Sequence, residues 1–488
     1  MSLARTFTPH KDLPPLWDGD IAAETVKGEN TASWQAFGVA IDNREVHPGD
    51  LFVALKGERH DGHKFIAKAF EAGAYAALVN HDADLSGLNS PLLKVPDTQE
   101  ALVALGRAAR ARSKAKIIGV TGSVGKTGTK DALYHCFSRV GAAHVSVKSF
   151  NNEIGVPLTL ARMVDWADYG VFEMGMNHAG ELRALSAQVK PHVALITTVE
   201  SAHAAHFENE EAIADAKAEI LTGLEPGGVA VLNRDNRHFD RLADAARAAG
   251  VERILSFGFH EEADVRPLNV AMHADLSCIA ADVCGQRLIY KIGLAGRHWV
   301  MNSLGILAAI QAAGGDLGLA GLALGELTPL PGRGRRLTID VTGGSALMID
   351  EAYNANPASM RSALAAMKNM PVEKPGKRIA VLGDMLELGE NSDEIHADLA
   401  DVIKDAGVTH LIVKGKHWGA LAEKLSKDLA LYQLEDNDQL LAHAKAHFKP
   451  NDLILAKGSN ALGLGRFVED LRDGKHLQRH PHQMMGEI

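Results

Sequence analysis

The sequence is poor in the features that mark exported, membrane-spanning and nucleic-acid-binding proteins. Its three cysteines, Cys136, Cys278 and Cys284, lack the spacing of a disulfide framework or a structural zinc site. No apolar run approaches the roughly 18 residues that would span a bilayer, and the N-terminus has no apolar core for a signal peptide. The net charge of −10 is spread along the chain, so no basic block invites nucleic acid or an anionic membrane. We expect a soluble, cytoplasmic monomer without nucleic-acid or membrane partners.

Short β-branched runs alternate with helical stretches along most of the chain. One series lies at residues 116–120, 170–174, 193–197 and 228–232, and a second at 346–350, 378–382, 410–414 and 452–456. This rhythm is typical of βαβ units around a parallel sheet. The segment LPGRGRR at 330–336 is suited to a domain junction. A chain of 488 residues is too long for one core, and with a separate N-terminal unit we expect three domains.

A glycine-rich loop follows the predicted strand at 116–120. Residues 118–130 read IGVTGSVGKTGTK, and apolar residues at helical spacing follow. Glycines let backbone N–H groups turn toward an anion, and the helix N-terminus adds its dipole. The sequence predicts a P-loop for a nucleotide, in which Lys126 reaches the β and γ oxygens and Thr127 ligates Mg²⁺. Its residues are Gly122, Ser123, Val124, Gly125, Lys126, Thr127 and Gly128.

Two observations limit this interpretation. The first glycine of the usual P-loop is displaced to Gly119, and Val120 occupies its position, so a glycine-rich turn with an exposed lysine is an alternative. A GTPase would need an Asn-Lys-x-Asp segment after a later strand, and NRDN at 233–236 lacks the lysine. GTPases are therefore disfavoured, whereas kinases, ATPases and ligases all use a P-loop.

Polar side chains also fall within or after the next predicted strands. Glu173 lies in an apolar strand, where a carboxylate is costly to bury unless it binds a metal such as Mg²⁺, although a solvated acid at a strand end is also possible. His203 and His206 follow another strand, and each is either a metal ligand or a loop residue. Lys217 lies on a predicted helix among small and apolar residues, and taken alone it is a surface lysine.

Together these segments resemble the Mur ligase family of cell-wall enzymes, especially the members that add D-alanyl-D-alanine. The glycine-rich loop is similar to the family's P-loop, whose first glycine is displaced in the same way. The other matching segments are SFNNEIGVPLT at 149–159, FEMGMN at 172–177, YNANPASM at 353–360 and MLELG at 385–389. The resemblance runs nearly end to end.

The resemblance implies an α/β fold with three domains. A small α/β UDP-substrate-binding domain would occupy residues 1–107. A central P-loop ATPase domain with a mainly parallel sheet would occupy 108–331. A C-terminal Rossmann-like domain at 332–488 would bind the incoming dipeptide.

The resemblance also implies how ATP and two Mg²⁺ ions are bound. Lys217 would be carbamylated and would ligate metal with Thr127, Glu173 and His203. Counted back from Lys217, His206 is three residues late for the family's histidine, so we prefer His203. The lysine carbamate is an anion, so it can approach Mg²⁺ without charge repulsion.

Further nucleotide contacts are implied by two segments. In AGRHWVMN at 295–302, His298 and Asn302 match the residues near adenine, and Trp299 replaces the family's first asparagine. Trp299 would either stack on the base or pack in the core. Arg333 resembles the arginine that reaches the γ-phosphate, with Arg335 and Arg336 as alternatives. The acid that contacts the ribose would be Asp350 or Glu351.

The two other substrates are implied to be UDP-N-acetylmuramoyl-tripeptide and D-alanyl-D-alanine. Residues 40–65 resemble the family's UDP-binding segment and place Asp42 and Arg44 at that substrate, although Ala40 and Asn43 replace the family's serines. Asn151 and Asn152 would contact the sugar-peptide or its pyrophosphate, or cap a loop. The residues implied for the dipeptide are Asn354, Asn356, Lys457, Ser459 and Asn460.

The implied reaction is ATP-dependent and ADP-forming amide-bond synthesis. The γ-phosphoryl group would pass to the terminal carboxylate of the tripeptide, and the amine of the dipeptide would attack the resulting acyl phosphate. The alternatives are a family member that adds a single amino acid, a P-loop small-molecule kinase, and a nucleotide-binding scaffold without activity.

Overall fold

The computed structural model describes residues 14–57, 60–85, 88–147, 149–200, 207–273, 275–386, 388–425 and 429–477. The described residues form two compact units, of which the first comprises residues 14–200 and 209–327, and the second comprises residues 207–208 and 328–477. The domain limits at residues 107 and 331 stay predictions.

The N-terminal part of the first unit is a small α/β layer. Its strands are β1 Trp17–Asp18, β2 Glu29–Asn30, β3 Gln35–Ala36, β4 Gly38–Ala40, β5 Asp50–Val53, β6 Ala76–Asn80 and β7 Leu92–Val95, and its helices are α1 Gly19–Val26, α2 Ile66–Glu71 and α3 Thr98–Arg112. Five strands form a sheet in the order β2-β7-β6-β5-β4, with β4 to β7 parallel and β2 antiparallel. All of β5 is buried, as expected for a parallel strand that is covered on both faces.

The remainder of the first unit contains a nine-stranded sheet. Its strands are β8 Lys116–Thr121, β9 Ala143–Val145, β10 Tyr169–Glu173, β11 Val193–Ile196, β12 Val229–Asn233, β13 Arg253–Phe257, β14 Val265–Met272, β15 Ser277–Val283 and β16 Gln286–Ile292. Its helices are α4 Lys126–Phe137, α5 Gly155–Ala161, α6 Glu181–Val189, α7 Glu210–Ala218, α8 Phe239–Ala248, α9 Arg297–Ala313 and α10 Leu317–Gly325. The strand order is β16-β15-β14-β13-β12-β11-β8-β10-β9, and β8 to β14 run parallel while β15 and β16 add antiparallel hairpins.

The order of the central strands decides where a ligand can bind. After β8 the chain moves to the edge strand β9, returns through β10, and then crosses to β11 on the other side of β8. In open α/β sheets, ligands bind at such a switch point, beyond the carboxyl ends of the strands. The loops after β8, β10 and β11 therefore meet at the expected position of a site.

The second unit contains a six-stranded sheet. Its strands are β17 Arg335–Val341, β18 Gly344–Glu351, β19 Arg378–Gly383, β20 His410–Lys414, β21 Ala430–Gln433 and β22 Leu453–Lys457. Its helices are α11 Pro357–Lys368, α12 Ser392–Ala397, α13 Ala400–Asp405, α14 Gly419–Lys424, α15 Asn437–His447 and α16 Leu464–Arg472. The order is β17-β18-β22-β19-β20-β21, and only the β17–β18 pair of this sheet is antiparallel.

These sheets confirm the predicted α/β class with mainly parallel sheets. Every run in the two predicted series is a strand, with limits shifted by a residue or two. The antiparallel pairing of β14 with β15 and of β15 with β16 was not predicted, because β15 alternates buried and half-buried residues instead of forming a continuous apolar run. Within the described ranges, no helix combines the length and apolarity needed to cross a membrane.

Candidate active site

The glycine-rich loop between β8 and α4 has the geometry of a phosphate-binding loop. Gly125 precedes α4 with a φ of 85°, a conformation that glycine adopts without steric cost. The helix begins at Lys126, whose Nζ donates a 2.7 Å hydrogen bond to the carbonyl oxygen of Gly122. The loop therefore leads directly into the N-terminus of α4, where the first backbone N–H groups and the helix dipole favour an anion.

Residues that follow β11 hold this loop in place. The hydroxyl of Thr197 donates a 2.6 Å hydrogen bond to the carbonyl oxygen of Val124. A Cβ added to Gly122 would lie 1.9 Å from that hydroxyl, so a larger residue at 122 would displace Thr197. Ser123 is bonded to the backbone of Thr198 and Glu200. These contacts were not predicted, because no P-loop motif extends to residues more than seventy positions away.

The first turns of α9 lie against the same loop. A Cβ on Gly125 would lie 3.2 Å from the side-chain amide atoms of Asn302, so Asn302 lies beside the loop. A Cβ on Gly128 would lie 2.6 Å from Cη2 of Trp299, so the indole fills the space above Gly128. Trp299 is half-buried and packs against the core of this unit, which favours the packing role over base stacking. His298 is exposed at the start of α9.

Glu173 lies at the end of β10, in register with Val120 of the strand that precedes the loop. Its side chain is buried, with 1% of its surface exposed. One oxygen accepts a 2.9 Å hydrogen bond from Nδ2 of Asn151, and the other has no hydrogen-bond partner among the described residues. A buried carboxylate oxygen without a partner is costly unless a cation or donor binds it. This supports the metal-ligand interpretation over that of a solvated acid.

Lys217 is buried in α7, with 2% of its surface exposed. Burial, and then the positive charge of Lys126, hold the pKa of Lys217 well below its ordinary value. The suggestion that Lys217, taken alone, is a surface lysine is therefore wrong. A lysine whose neutral amine is favoured can react with CO₂ to form a carbamate.

The oxygen donors of this site fit a hard divalent cation. Glu173 offers a buried oxygen without a partner, and the hydroxyl of Thr127 lies 3.3 Å from that of Ser149 in the loop that carries Asn151. Mg²⁺ prefers such oxygen ligands. A carbamate on Lys217 would add another oxygen donor, whereas an ammonium would not. His203 and His206 lie outside the described residues, and the described residues include no cluster of three His, Cys, Asp or Glu side chains with metal-binding geometry.

Two residues predicted to contact the UDP-linked substrate, Asn152 and Asp42, have local partners. Asn152 is exposed and its Oδ1 accepts a 3.0 Å hydrogen bond from the backbone N–H of Gly155 at the start of α5, which is the loop-capping role. After β4, Asp42 accepts hydrogen bonds from the backbone and the guanidinium of Arg44, which is exposed. Both remain accessible to a ligand, so their binding roles stay predictions.

In the second unit, the neighbouring arginines have different roles. The Nε and Nη2 groups of Arg335 donate hydrogen bonds of 3.2 and 2.9 Å to Oδ2 of Asp350, and Arg335 also contacts Glu469. Asp350 is buried and accepts a further 2.8 Å hydrogen bond from the backbone N–H of Gly332. Arg333 instead stacks on the ring of Tyr353, with its guanidinium carbon 4.1 Å from the ring centre. Asp350 therefore anchors the start of this unit, and among the described residues no carboxylate forms a hydrogen bond with Arg333.

The residues predicted for the dipeptide lie in the second unit but differ in their engagement. Lys457 is buried, and its Nζ donates a 2.9 Å hydrogen bond to the carbonyl oxygen of Asn354 and lies 3.5 Å from Glu351. Burial lowers the pKa of Lys457, and Glu351 opposes that shift. Asn356 caps α11 in a capping box with Ser359.

Two more of these residues lie after β22. The Oγ of Ser459 accepts a 3.0 Å hydrogen bond from the backbone N–H of Leu386, within the MLELG segment. Asn460 is exposed at the start of a short 3-10 turn. The structure therefore gathers Ser459 and the MLELG segment at one end of this sheet.

Sequence comparisons match three family descriptions along the chain. The Mur ligase family, catalytic domain, matches residues 37–112, and the Mur ligase middle domain matches residues 120–312. The Mur ligase, glutamate ligase domain, matches residues 335–460. Together with the P-loop and the five-, nine- and six-stranded sheets, these matches show that the chain belongs to the Mur ligase family.

Among its relatives, the chain is similar to those named UDP-N-acetylmuramoyl-tripeptide--D-alanyl-D-alanine ligase. The protein from Rickettsia prowazekii is 30% identical over 93% of this chain and 99% of its own length. That from Bacillus subtilis is 34% identical over 89% of this chain and 93% of its own.

Solved structures of MurF ligases share the fold. MurF from Acinetobacter baumannii superimposes with a TM-score of 0.80 and 29% identity, covering 94% of this chain and 99% of its own. MurF from Thermotoga maritima in complex with ADP has a TM-score of 0.72 and 26% identity, covering 91% of this chain and 98% of its own.

Proposed function

We propose that this chain is an ATP-dependent ligase that joins D-alanyl-D-alanine to UDP-N-acetylmuramoyl-tripeptide in peptidoglycan synthesis. It is an ADP-forming enzyme of the Mur ligase family. Relatives that are 30–34% identical over most of the chain are named for this activity. The soluble nucleotide-linked precursor and ATP are cytoplasmic metabolites, so we place the reaction in the cytoplasm.

One observation in the site carries the proposal. Lys217 is buried, and its burial, together with the positive charge of Lys126, lowers its pKa and favours the neutral amine. A P-loop kinase needs only one lysine at its phosphates, and that role belongs to Lys126. Carbamylation would explain the buried Lys217, because a lysine carbamate is an oxygen ligand that could bind a metal together with Glu173.

The residues of the P-loop and the metal site would allow two anions, the triphosphate and the tripeptide carboxylate, to approach each other. The amides of residues 124–127 and the Nζ of Lys126 would hold the β- and γ-phosphates, and the loop is already fixed by Thr197. Thr127, Glu173 and carbamylated Lys217, with His203, would hold two Mg²⁺ ions, which supply the charge neutralisation that lets a carboxylate approach a triphosphate.

The proposed reaction has two chemical steps, phosphoryl transfer and amide-bond formation. The bond between the γ-phosphorus and the bridging oxygen breaks, ADP departs, and a bond forms to an oxygen of the tripeptide carboxylate. The amine of D-alanyl-D-alanine then attacks the acyl carbon, the carbon–oxygen bond to phosphate breaks, and the nitrogen loses a proton. Phosphorylation is needed because a carboxylate would otherwise have to expel oxide.

We assign the remaining contacts as follows. Asn302 and His298 would contact the adenine. Glu351 would contact the ribose, since the carboxylate of Asp350 is engaged by Arg335 and Gly332. Arg333 would bind the γ-phosphate. Asp42, Arg44, Asn151 and Asn152 would serve the UDP-substrate, and Asn354, Asn356, Lys457, Ser459 and Asn460 would serve the dipeptide.

Phosphate release tests the proposal. The chain is incubated with ATP, Mg²⁺ and UDP-N-acetylmuramoyl-tripeptide, with and without D-alanyl-D-alanine, and the products are identified by mass spectrometry. We expect sustained phosphate release and the pentapeptide product only with both substrates. A stable phosphorylated product without the amine would identify a kinase, and preference for a single amino acid would identify another Mur-type ligase.

A further inference from the structure

Glu219 is a buried carboxylate to which the sequence analysis assigned no role. It follows Lys217 by two residues, at the start of the 3-10 segment Glu219–Gly223 that continues α7. Its surface is 9% exposed. A carboxylate buried to this extent needs donors that offset its loss of water.

Those donors are the backbone N–H groups at the start of α6. The N–H of Gly180 lies 2.8 and 2.9 Å from the two carboxylate oxygens of Glu219, and that of Arg183 lies 3.2 Å from one of them. Gly180 has a φ of 91° and the helix has no side-chain cap of its own. Glu219 therefore caps α6 from another element, where a negative charge also interacts favourably with the helix dipole.

This contact joins the elements that carry two proposed metal ligands. Residues 174–180 connect Glu173, at the end of β10, to the N-terminus of α6. On the other side, the backbone from Lys217 to Glu219 is continuous helix. The carboxylate of Glu219 thus connects the loop that follows Glu173 to the helix that contains Lys217.

A second contact shows that these elements are packed closely along their length. The hydroxyl of Ser186, in the middle of α6, donates a 2.6 Å hydrogen bond to the carbonyl oxygen of Ile220. A Cβ on Gly223 would lie 2.4 Å from Ser186 atoms. Ser186 therefore ties the same helix to the same segment, but farther from Glu173.

We propose that Glu219 is a positioning residue of the metal site: by holding the N-terminus of α6, it fixes the loop after Glu173 relative to the helix that carries Lys217. The inference rests on the proposed function, since it takes Glu173 and Lys217 as metal ligands. Residues that orient metal ligands in this way commonly change metal affinity about 10- to 100-fold when they are replaced.

Metal affinity, measured apart from turnover, provides the test. Mn²⁺ is titrated into the wild-type chain and into Glu219→Gln, Glu219→Ala and Ser186→Ala, each with a non-hydrolysable ATP analogue, and bound Mn²⁺ is followed by electron paramagnetic resonance. We expect Glu219→Ala to weaken Mn²⁺ binding about 10-fold or more, with a smaller loss in Glu219→Gln. Raising Mg²⁺ should restore much of the kcat of Glu219→Ala.

Ser186→Ala is the matched control, because it removes a buried contact between the same two elements without touching the loop after Glu173. It should lower the melting temperature but leave Mn²⁺ affinity unchanged. The proposal is overturned if Glu219→Ala, measured below its melting temperature, binds Mn²⁺ as tightly as the wild type, or if Ser186→Ala loses affinity equally. Failure of the wild-type chain to form the amide bond would instead contradict the proposed function, and would be seen in the phosphate-release assay.

Discussion

The indole of Trp299 occupies the space above Gly128, so that a Cβ at residue 128 would lie 2.6 Å from Cη2 of the ring. Gly128 lies in the first turn of α4, directly after the P-loop, and Trp299 lies in the first turn of α9. The helices α4 and α9, which flank the proposed nucleotide site, therefore pack closely at the contact between Gly128 and Trp299.

Gly128→Ala should destabilise the first unit, because its methyl group would overlap the indole. Overpacking of this kind costs about 1–3 kcal/mol. Urea unfolding followed by circular dichroism measures the loss. In Gly128→Ala/Trp299→Leu the smaller side chain leaves room for the methyl group, so this double variant should be less destabilised than the sum of the two single variants. Additive effects would show that the two residues do not compete for space.

The strands could be predicted because parallel strands covered on both faces form continuous apolar runs, as β8, β11 and β22 do. Contacts between residues that are distant in the sequence could not be predicted. Gly128 and Trp299 are far apart in the sequence, and neither has a local pattern that indicates the other. Likewise, three arginines lie within residues 333–336, and only the antiparallel register of β17 and β18 places Arg335 opposite Asp350.

That register predicts different outcomes for the arginines. Arg335→Ala would leave the carboxylate of Asp350, with 2% of its surface exposed, buried without its cation. Losing one partner of a buried ion pair costs about 3–5 kcal/mol, and since Arg335 is partly exposed we expect the lower end. Arg333→Ala would lose only its contact with Tyr353, worth about 0.5–1 kcal/mol.

Thermal unfolding and ligase assays on both variants separate these roles. Arg333→Ala should lower the melting temperature much less than Arg335→Ala does and should lose activity, as expected of a phosphate ligand. The assignment of Arg333 to the γ-phosphate would be wrong if Arg333→Ala turned over at the wild-type rate while Arg335→Ala, still folded, did not.

Lys126→Ala should lower kcat by about 100-fold or more, because removing a charged donor from a transition state has an effect of that size. Lys116→Ala is a suitable control, since Lys116 is exposed at the start of β8, the strand that leads into the same loop. Both variants should melt at the wild-type temperature. If Lys126→Ala formed the amide bond at the wild-type rate, the loop would not serve the phosphates as we propose.

Asn151→Leu should weaken both the fold and the metal site. The change removes the 2.9 Å hydrogen bond to Glu173 and leaves a buried carboxylate without a donor, at a cost of about 1–3 kcal/mol. Asn152→Ala is the neighbouring control, because it removes only an exposed loop cap. Adding Mg²⁺ and ATP analogue should raise the melting temperature of Asn151→Leu less than that of the wild type. Equal shifts would place Asn151 outside the metal site.

The burial of Lys217 predicts a pH-dependent stability with a definite sign. Its pKa in the folded chain is well below the ordinary value of 10.5, which the unfolded chain recovers. Between these two pKa values the unfolded chain binds a proton that the folded chain does not, so the free energy of unfolding rises with pH. In CO₂-free buffer, Lys217→Met should exceed the wild type in stability at neutral pH, and the difference should shrink by up to about 1.4 kcal/mol per pH unit toward 10.5. Bicarbonate should stabilise the wild type but not Lys217→Met, and ¹³C-bicarbonate should give a carbamate signal in the wild type alone. A stability difference that is constant with pH would show that Lys217 is charged in the folded chain.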